Sequence, residues 1–489
     1  MLSVFSVVKG FDLNAKKALV LGLGETGFSM ARWLSRCGAR VRVADSRPMP
    51  PNADALLREI PAAELHAGVW QESVFEGIDM IAISPGIAPT EPLVRRAAAR
   101  GVPVAGDIEL FVRALRDPLL WSRRARDFMP PKVLAVTGTN GKTTVTALAG
   151  AMCHRAGTAC EVAGNIGPAA LDALMACIDA RRMPELWVLE LSSFQLETTY
   201  TLAASAAAVL NVSEDHLDRH AGMDAYAAAK ARVFDGEGVQ VLNRADPRVM
   251  AMALKGRRQF TFGTDAPRGL DDFGLLDSHG RPCLAQGTTP LIPVADMALS
   301  GLHNAANALA ALALCRAIDL PYTPLLAAIE DFAGLPHRVE RVAEHNGVVF
   351  YDDSKGTNVG ATVAAIAGLT GAAGRGRAQH QKVVLIAGGE GKGQDFSPLQ
   401  EAVARGARSV VLIGRDAARI EGAVAASGVP VMRAGGMEEA VETAFRLAEP
   451  GDAVLLSPAC ASFDMFDNYK HRGDVFAAAA RRMAHVQPQ

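Results

Sequence analysis

A glycine-rich loop, TGTNGKTT at residues 137–144, constrains the fold more than any other stretch of the sequence. It follows a short apolar run at residues 133–136, which is typical of a buried strand, and it precedes a helix-like segment. In a strand–loop–helix unit of this kind, backbone N–H groups of the loop and of the helix N-terminus point at phosphate oxygens. Lys142 would reach the β- and γ-phosphates of a nucleotide, and the Thr143 hydroxyl would bind Mg²⁺. The loop therefore predicts an α/β domain that binds ATP.

The loop is a variant of the usual phosphate-binding pattern. The pattern GxxxxGK[ST] requires a glycine at position 136, where this chain has Val136. The alternative is a glycine-rich turn with an incidental lysine. The strand before the loop and the helix after it favour the phosphate-binding interpretation.

Polar side chains follow two further strands of the same predicted sheet. The apolar run at residues 187–189 leads into Glu190, and the run at residues 206–210 leads into a segment that contains His216. Ligands of an open α/β sheet bind beyond the carboxyl ends of its strands, so both side chains would lie near the ion held by Thr143. One Glu or His at a strand end is more often a solvated loop residue, but two beside a phosphate loop favour a metal site.

Lys230 follows on a helix-like stretch of small residues, YAAAK. Its spacing alone predicts an ordinary surface lysine.

Length and composition narrow the class of protein. At 489 residues the chain is too long for one core, and roughly 150 residues per domain suggest about three domains. A net charge of −2 argues against a nucleic-acid partner. Seven scattered cysteines without a CxxC pair argue for free thiols in the cytoplasm. No apolar run approaches the roughly 20 residues of a membrane span, so we expect a cytoplasmic protein without one. We also expect a monomer.

Strands and helices alternate in three blocks, which predicts an α/β fold throughout. We predict a Rossmann-like N-terminal domain (1–110), a central P-loop ATPase-like α/β domain (111–335) and a Rossmann-like C-terminal domain (336–489). The first has strands at residues 18–22, 41–44 and 80–84, and the central domain adds one at residues 239–242. Five short strands are predicted in the C-terminal domain, at residues 348–351, 383–387, 410–413, 430–432 and 453–456.

Three irregular stretches separate or interrupt these blocks. Residues 116–132 are rich in Pro and Arg and are interpreted as a linker or insertion. Residues 260–300 lose helical periodicity, which suggests a small antiparallel β portion within the central domain. The turn at residues 334–336 is interpreted as the second domain boundary.

A second glycine motif leaves another reaction class open. Residues 22–27, GLGETG, match GxGxxG, and acidic Asp45 follows some twenty residues later, as in an NAD-dependent dehydrogenase. The same geometry suits any diphosphate at a helix N-terminus, and the ATP loop and metal cluster disfavour the dehydrogenase. A P-loop motor or switch protein is a third possibility, but it would leave the large C-terminal block without a role.

Six motifs, in order along the chain, resemble the Mur ligases, the cytoplasmic amino-acid-adding enzymes of peptidoglycan synthesis. They are TGTNGKTT, ELSSFQLE (190–197), NVSEDHLDRH (211–220), GLHNAANALAA (301–311), LPHRVE (335–340) and DDSKGTN (352–358). Five others resemble the members of that family that add D-glutamate: GLGETG, SPGIAP, GDIELF, GGEGKGQDF and SPACASFDMFDNYKHRGDVF. Another Mur-type ligase, or a folate polyglutamylating enzyme, is the nearest alternative within this resemblance, and the first-domain motifs count against both.

The resemblance implies an ATP-dependent amide-bond-forming reaction. ATP would phosphorylate the L-alanyl carboxylate of UDP-N-acetylmuramoyl-L-alanine, and the amine of D-glutamate would displace phosphate from the acyl phosphate. The implied cofactors are ATP and Mg²⁺, with two ions expected. Positioning and charge neutralisation would supply most of the catalysis.

The resemblance also implies roles for individual residues. Catalytic roles fall to Lys142, His216 and Lys230, and metal binding to Thr143, Glu190, His216 and Lys230, the last as a carbamate. ATP contacts are expected from Gly138, Thr139, Asn140, Gly141, Lys142, Thr143, Thr144, Asn304, Asn307, Arg338, Asp353 and Lys355. The UDP-precursor would contact Thr26, Asp45, Ser46, Arg47, Ser84, Gly86, Asn165 and Gln195. D-Glutamate would contact Thr357, Lys392, Ser462 and Phe463. One departure is Glu25, a carboxylate within the loop that would approach the diphosphate.

Overall fold

The computed structural model describes residues 13–117, 129–299, 301–370 and 380–483. Within these ranges the chain forms three β-sheets, each packed against helices. Most of the predicted insertion at residues 116–132 lies outside the described residues. The domain bounds inferred from the sequence stay a prediction.

Five parallel strands form the first sheet. They are β1 (Lys17–Leu21), β2 (Arg40–Asp45), β3 (Glu64–Ala67), β4 (Met80–Ile83) and β5 (Val104–Ala105), with helices α1 (Glu25–Arg36), α2 (Ala53–Glu59), α3 (Pro92–Ala99) and α4 (Asp107–Leu115). The spatial order is β3-β2-β1-β4-β5, so the chain switches direction across the sheet between β1 and β4. Ligands bind beyond the carboxyl ends of strands at such a switch point, where the loop at residues 22–24 lies.

The second sheet has nine strands and carries the phosphate loop. Its strands are β6 (Lys132–Thr137), β7 (Cys160–Gly164), β8 (Leu186–Glu190), β9 (Ala206–Val209), β10 (Val239–Asn243), β11 (Gln259–Phe262), β12 (Asp272–Ser278), β13 (Arg281–Gln286) and β14 (Thr289–Pro293). Its helices are α5 (Lys142–Arg155), α6 (Ala170–Asp179), α7 (Ser193–Glu197), α8 (Met223–Ala231), α9 (Pro247–Met250), α10 (Leu302–Ala317) and α11 (Tyr322–Asp331). Strand β6 lies between β8 and β9, which brings the ends of all three strands together.

An antiparallel portion ends the second sheet, as predicted. Strands β12, β13 and β14 pair antiparallel, while β11 pairs parallel with both β10 and β12. The antiparallel portion therefore begins later than residue 260. Helix α10 packs on this sheet, and its alanine-rich sequence is buried on nearly every side because it lies between the sheet and helices α5 and α11.

Six strands form the third sheet, in the C-terminal part of the chain. They are β15 (Glu340–His345), β16 (Val348–Asp352), β17 (Val383–Gly388), β18 (Ala407–Ile413), β19 (Val431–Arg433) and β20 (Ala453–Leu456), with helices α12 (Val359–Thr370), α13 (Leu399–Gly406), α14 (Ala417–Val424), α15 (Met437–Leu447) and α16 (Tyr469–Arg482). The order is β15-β16-β20-β17-β18-β19, parallel except for the antiparallel edge strand β15.

The first two sheets share a hydrophobic core, whereas the third has its own. One continuous cluster contains Leu34 of α1, Phe111 of α4 and Leu171 of α6, and the ring of Phe111 meets Trp187 edge-on at 4.8 Å. The apolar residues of the third sheet form separate clusters. Polar contacts cross from it to the phosphate loop, including a 2.8 Å hydrogen bond from Asn358 Nδ2 to Asn140 Oδ1. Such contacts can be exchanged for ligand contacts more readily than a shared apolar core.

The predicted strands are all present, and the α/β fold class is confirmed. The sequence did not reveal β3, β5, β7 or β15, which are short, partly exposed or less apolar. Within the described residues, none of the helices has the length and apolar character needed to cross a membrane.

Candidate active site

The phosphate loop leaves the carboxyl end of β6 and enters α5 at Lys142. Gly141 has a φ of +84°, a left-handed conformation that favours glycine, and a Cβ there would lie 2.5 Å from Asn307 Oδ1. The Lys142 ammonium donates to the carbonyl oxygens of Gly138 and Thr139, at 2.9 and 2.8 Å. The Asn211 side chain accepts hydrogen bonds from the backbone N–H groups of Thr139 and Asn140, which holds the loop against β9.

Glu190 and Thr143, both predicted metal ligands, line the same cavity. Glu190 is almost fully buried, and its Oε1 accepts a 2.6 Å hydrogen bond from Asn165 Nδ2. Its Oε2 is buried without a hydrogen-bond partner among the described residues. A buried carboxylate oxygen left without a donor is costly, and a cation would satisfy it.

His216 lies across the same cavity, after β9. Its φ of +55° is unusual for a residue other than glycine and is typical of functional sites. Burial lowers the pKa of His216 to about 4, although Asp215 beside it acts in the opposite direction. The imidazole is therefore neutral at neutral pH, which is the form that can coordinate a metal.

The prediction that Lys230 is a surface residue is wrong. Lys230 lies on α8, only 1% exposed, and its ammonium donates a 2.8 Å hydrogen bond to the carbonyl oxygen of Gly138. It also lies 4.3 Å from the ring centroid of Tyr226. Burial, and next the charge of Lys142, hold the pKa of Lys230 well below its usual value. The spacing of residues could not reveal the burial of Lys230, because α8 is short and its small residues have no clear apolar face.

Cations from the C-terminal part of the chain complete the cavity. The Arg338 guanidinium donates a hydrogen bond to the Thr143 hydroxyl, and the Lys392 ammonium lies 3.7 Å from Asp215 Oδ1. Burial, and next Arg338, lower the pKa of Lys355 to about 8. Asp353 accepts a 2.7 Å hydrogen bond from Ser457, and its burial raises its pKa to about 7.

The sequence-predicted ATP, metal and D-glutamate residues therefore surround one cavity. It is lined by Thr139, Asn140, Gly141, Lys142, Thr143, Thr144, Glu190, His216, Lys230, Asn304, Asn307, Arg338, Asp353, Lys355, Thr357, Lys392, Ser462 and Phe463. Gly138, also predicted to contact ATP, is not among the lining residues, and its carbonyl oxygen accepts hydrogen bonds from Lys142 and Lys230. Five of these side chains are cationic groups, which suits a polyanion such as a triphosphate.

The residues predicted to bind the UDP-precursor line a second cavity, at the switch point of the first sheet. They are Thr26, Asp45, Ser46, Arg47, Ser84, Gly86, Asn165 and Gln195. The Arg47 side chain holds the pKa of Asp45 down at about 2, and Asp45 accepts a 2.7 Å hydrogen bond from the backbone of Leu23. Glu25 begins α1 and is exposed on the rim of this cavity.

The two cavities meet. Both are lined by Asn165, Lys355, Phe463, Asn468 and Tyr469. Sequence reasoning missed Asn468 and Tyr469, although both fall within the motif at residues 457–476. The Lys355 ammonium lies 3.8 Å from the ring centroid of Tyr469, which positions that lysine at the junction.

Three family models match the chain in the order of its three sheets. A MurD-like N-terminal domain of Mur ligases matches residues 16–106, and the Mur ligase middle domain matches residues 136–315. The glutamate ligase domain of Mur ligases matches residues 337–460. Together the three models cover most of the chain.

Relatives of known name match this chain over nearly its full length. The UDP-N-acetylmuramoylalanine–D-glutamate ligase of Nitrosomonas europaea is 56% identical over 476 residues, which are 96% of this chain and 97% of the relative. The ligase of the same name from Nitrosospira multiformis is 57% identical over 474 residues, 96% of each chain. A solved structure, the UDP-N-acetylmuramate-alanine ligase MurC of Thermotoga maritima, has a TM-score of 0.60 at 17% identity and covers 96% of this chain and 99% of that one. It supports the fold alone.

Two cavities that share a wall, one of them lined by the phosphate loop, are the architecture expected of an enzyme that joins a nucleotide-linked acid to an amine with ATP. Enzymes of the matched family are ATP-dependent and need Mg²⁺. The three domain matches and the full-length relatives agree with this geometry, and the chain belongs to the Mur ligase family.

Proposed function

We propose that the protein joins D-glutamate to UDP-N-acetylmuramoyl-L-alanine, giving UDP-N-acetylmuramoyl-L-alanyl-D-glutamate, ADP and phosphate. Relatives at 51–57% identity carry the name of this activity. The observation that carries the proposal is the junction of the two cavities at Lys355, beside the phosphate loop. An acid bound in the second cavity would present its carboxylate there to the γ-phosphate of ATP.

The residues present fit ATP and Mg²⁺. A Cβ at position 141 would intrude on the cradle that the loop forms, and Glu190 Oε2 is a buried acceptor that a cation would satisfy. We assign metal binding to the Thr143 hydroxyl, Glu190, neutral His216 and a carbamate on Lys230, with two ions. When bound, Mg²⁺ neutralises charge on the phosphates and on the carboxylate that approaches them.

The side chains of this protein then act by position and charge. In the first step, a carboxylate oxygen of the precursor attacks the γ-phosphorus, and the bond from that phosphorus to the ADP oxygen breaks. Lys142 and Arg338 lie where they would stabilise the charge that moves onto ADP and the acyl phosphate. In the second step, the amine nitrogen of D-glutamate attacks the acyl carbon, an amine proton is released, and phosphate leaves.

The D-glutamate site is proposed at Thr357, Lys392, Ser462 and Phe463. Lys392 provides a cation for a carboxylate, and its φ of +49° holds it in an uncommon backbone conformation on the cavity wall. Ser462 is buried and can donate from its hydroxyl, whereas the Phe463 ring is largely exposed at the junction of the two cavities.

For Lys230 we propose a chemical modification, a carbamate formed from its amine and CO₂, in addition to a place in the metal site. The depressed pKa of Lys230 leaves a larger fraction of its amine neutral, and a neutral amine can attack the carbon of CO₂. The neutral amine forms a nitrogen–carbon bond as one C–O π bond of CO₂ opens, and it loses one N–H proton, which gives an anionic carbamate. Relative to the ammonium, two protons are lost and a cation becomes an anion. An anion beside Glu190 and His216 would favour a metal ion, whereas an ammonium there would repel it.

A phosphate-release assay with a panel of amino acids tests the function. With ATP, Mg²⁺ and UDP-N-acetylmuramoyl-L-alanine, we expect product with D-glutamate and almost none with L-glutamate, L-lysine or meso-diaminopimelate. Efficient use of a diamino acid would assign the chain to a different Mur activity, and use of a folate with L-glutamate would assign it to the folate polyglutamylating class. Phosphate release without any added amine or precursor would contradict a ligase.

Two further properties are proposed. The cysteines of the described residues are free thiols, which fits the cytoplasm, where ATP is also present. We also propose a monomer. Light scattering coupled to size-exclusion chromatography should give a mass near 51 kDa, and a mass near twice that value would contradict it.

A further inference from the structure

Asp107 is a buried carboxylate on the wall of the second cavity, and none of the roles above uses it. It is the first residue of α4, immediately after Gly106, and its side chain is 1% exposed. It lines the same cavity as Asp45, Arg47, Asn165 and Gln195. A charged side chain buried in a ligand cavity needs partners to offset its desolvation.

Among the described residues, one of the two carboxylate oxygens of Asp107 has a side-chain partner, and the backbone N–H groups of Asp107 and Ile108 also act on the carboxylate. Oδ2 accepts a 2.9 Å hydrogen bond from Gln195 Nε2. Oδ1 is buried and has no hydrogen-bond partner within the described part of the chain. Gln195 cannot turn to serve both oxygens, because its own Oε1 accepts a 3.0 Å hydrogen bond from the backbone N–H of Ser192. The amide of Gln195 is thereby fixed, and Oδ1 remains an unused acceptor.

A purely structural role for this carboxylate is already filled by its neighbour Glu109. On the same helix, Glu109 Oε2 accepts hydrogen bonds from the backbone N–H groups of Tyr200 and Thr201, at 2.7 and 2.9 Å, and Oε1 pairs with Arg113. Both oxygens of Glu109 are thus satisfied, and Oε2 connects α4 to the segment that precedes β9. Asp107 can favour the N-terminus of α4 through the helix dipole, but this does not require a buried, unpaired oxygen. Burial also raises the pKa of Asp107 to about 6.

The position of Asp107 identifies the part of the precursor that it faces. The diphosphate end of the cavity lies at the Gly22–Gly27 loop and Asp45, where α1 begins. Gln195, the partner of Asp107, lies on α7, five residues after Glu190, and Asn165 links the same wall to Glu190. Asp107 therefore lies on the side of the cavity closer to the phosphate loop, where the acyl end of the precursor must arrive.

We propose that Asp107 is a substrate-recognition residue, whose Oδ1 accepts a hydrogen bond from an amide N–H or hydroxyl of the muramoyl-L-alanyl portion of the precursor. This inference rests on the proposed function. A carboxylate fixed by Gln195 would select for a hydrogen-bond donor at this point, and a precursor without that donor would leave the acceptor unpaired.

Binding of two ligands to three variants tests the proposal. Calorimetry would measure the affinities of UDP-N-acetylmuramoyl-L-alanine and of UDP, which lacks the muramoyl-alanyl portion. In Asp107→Asn, one amide oxygen can still accept from Gln195, but an NH₂ group replaces Oδ1. We expect the affinity of this variant for the precursor to fall at least about tenfold, because a hydrogen bond to a charged group is lost. Its affinity for UDP should change less than about twofold. Asp107→Ala should behave in the same way.

Glu109→Gln is the matched control, since it alters a buried carboxylate of the same helix outside the cavity. It should lower the melting temperature and leave both affinities unchanged. In steady state, Asp107→Asn should raise the KM for the precursor and leave the KM values for ATP and D-glutamate unchanged. Wild-type affinity of Asp107→Asn for the precursor, or equal losses for precursor and UDP, would overturn the proposal. Failure of the wild-type protein to bind the precursor would instead overturn the proposed function, and this inference with it.

Discussion

The ammonium groups of Lys142 and Lys230 donate hydrogen bonds to the same carbonyl oxygen, that of Gly138, at 2.9 and 2.8 Å. Lys142 lies on α5, and Lys230 lies on α8, 88 residues later in the sequence. Lys230 is buried and Lys142 is half-buried, and burial, and next the charge of Lys142, lower the pKa of Lys230. The phosphate loop therefore has two amines beside it, that of Lys142 and that of Lys230, and the depressed pKa of Lys230 lets it lose its charge more readily.

Lys230→Ala is expected to be nearly inactive, with a loss of at least about a hundredfold in turnover, because the proposed carbamate would be absent from the metal site. Acetate should partly restore activity by supplying an anion to the vacated space. Lys230→Arg keeps the positive charge but cannot form a carbamate, so it should stay inactive with or without acetate. Phosphate release measures all three, and wild-type turnover in Lys230→Arg would rule out the carbamate.

Lys142→Ala is expected to lower turnover by about 10²-fold or more, while the protein stays folded. Within the described part of the chain, the hydrogen bonds of this ammonium go to carbonyl oxygens of its own loop, so its removal should not disrupt the core. Phosphate release and a thermal melt would be measured together. Lys255→Ala, an exposed lysine outside both cavities, is the control and should match the wild type. An active and normally folded Lys142→Ala would contradict the ATP site.

Because of Asp353, the free energy of unfolding should decrease as pH rises from about 4 to about 7. Burial raises its pKa from an ordinary value of 3.8 to about 7, so in this window the folded state holds a proton that the unfolded state has lost. The free energy of unfolding therefore decreases as pH rises, by at most roughly 1.4 kcal/mol per pH unit from this group. Asp353→Asn should remove that slope and be more stable than the wild type at pH 7 without ligands. Parallel melting-temperature profiles of the two proteins from pH 5 to 7.5 would contradict the assignment.

The C-terminal part of the chain should move toward the rest when ligands bind. The proposed ATP contacts are divided between Lys142 and Asn304 on one side and Arg338 and Lys355 on the other, and polar contacts join the two sides. The turn at residues 334–336, where Gly334 has a φ of +98°, is the expected hinge. X-ray scattering should show a smaller radius of gyration with a non-hydrolysable ATP analogue and precursor than without them. Superimposable curves would count against closure.

The sequence by itself determined the class of fold and predicted most of the residues that line the two cavities. The loop at residues 137–144 needs only local geometry, since its glycines, Lys142 and Thr143 are adjacent in the chain. Glu190 and His216 could be placed from strand ends, because parallel strands bring their carboxyl ends to one edge of a sheet. Structure confirmed that placement, with β6 between β8 and β9.

Only the tertiary structure decided which side chains are buried together. Lys230 reads as a surface residue from its neighbours, and its burial follows from packing of α8 beside the phosphate loop. Asp107 and Gln195 are 88 residues apart, and Tyr469 of α16 contacts Lys355 in the turn after β16, so no local pattern predicts either pair. Their pKa values and unpaired oxygens depend on desolvation and on partners from distant parts of the chain. Those quantities exist only once the sheets have packed.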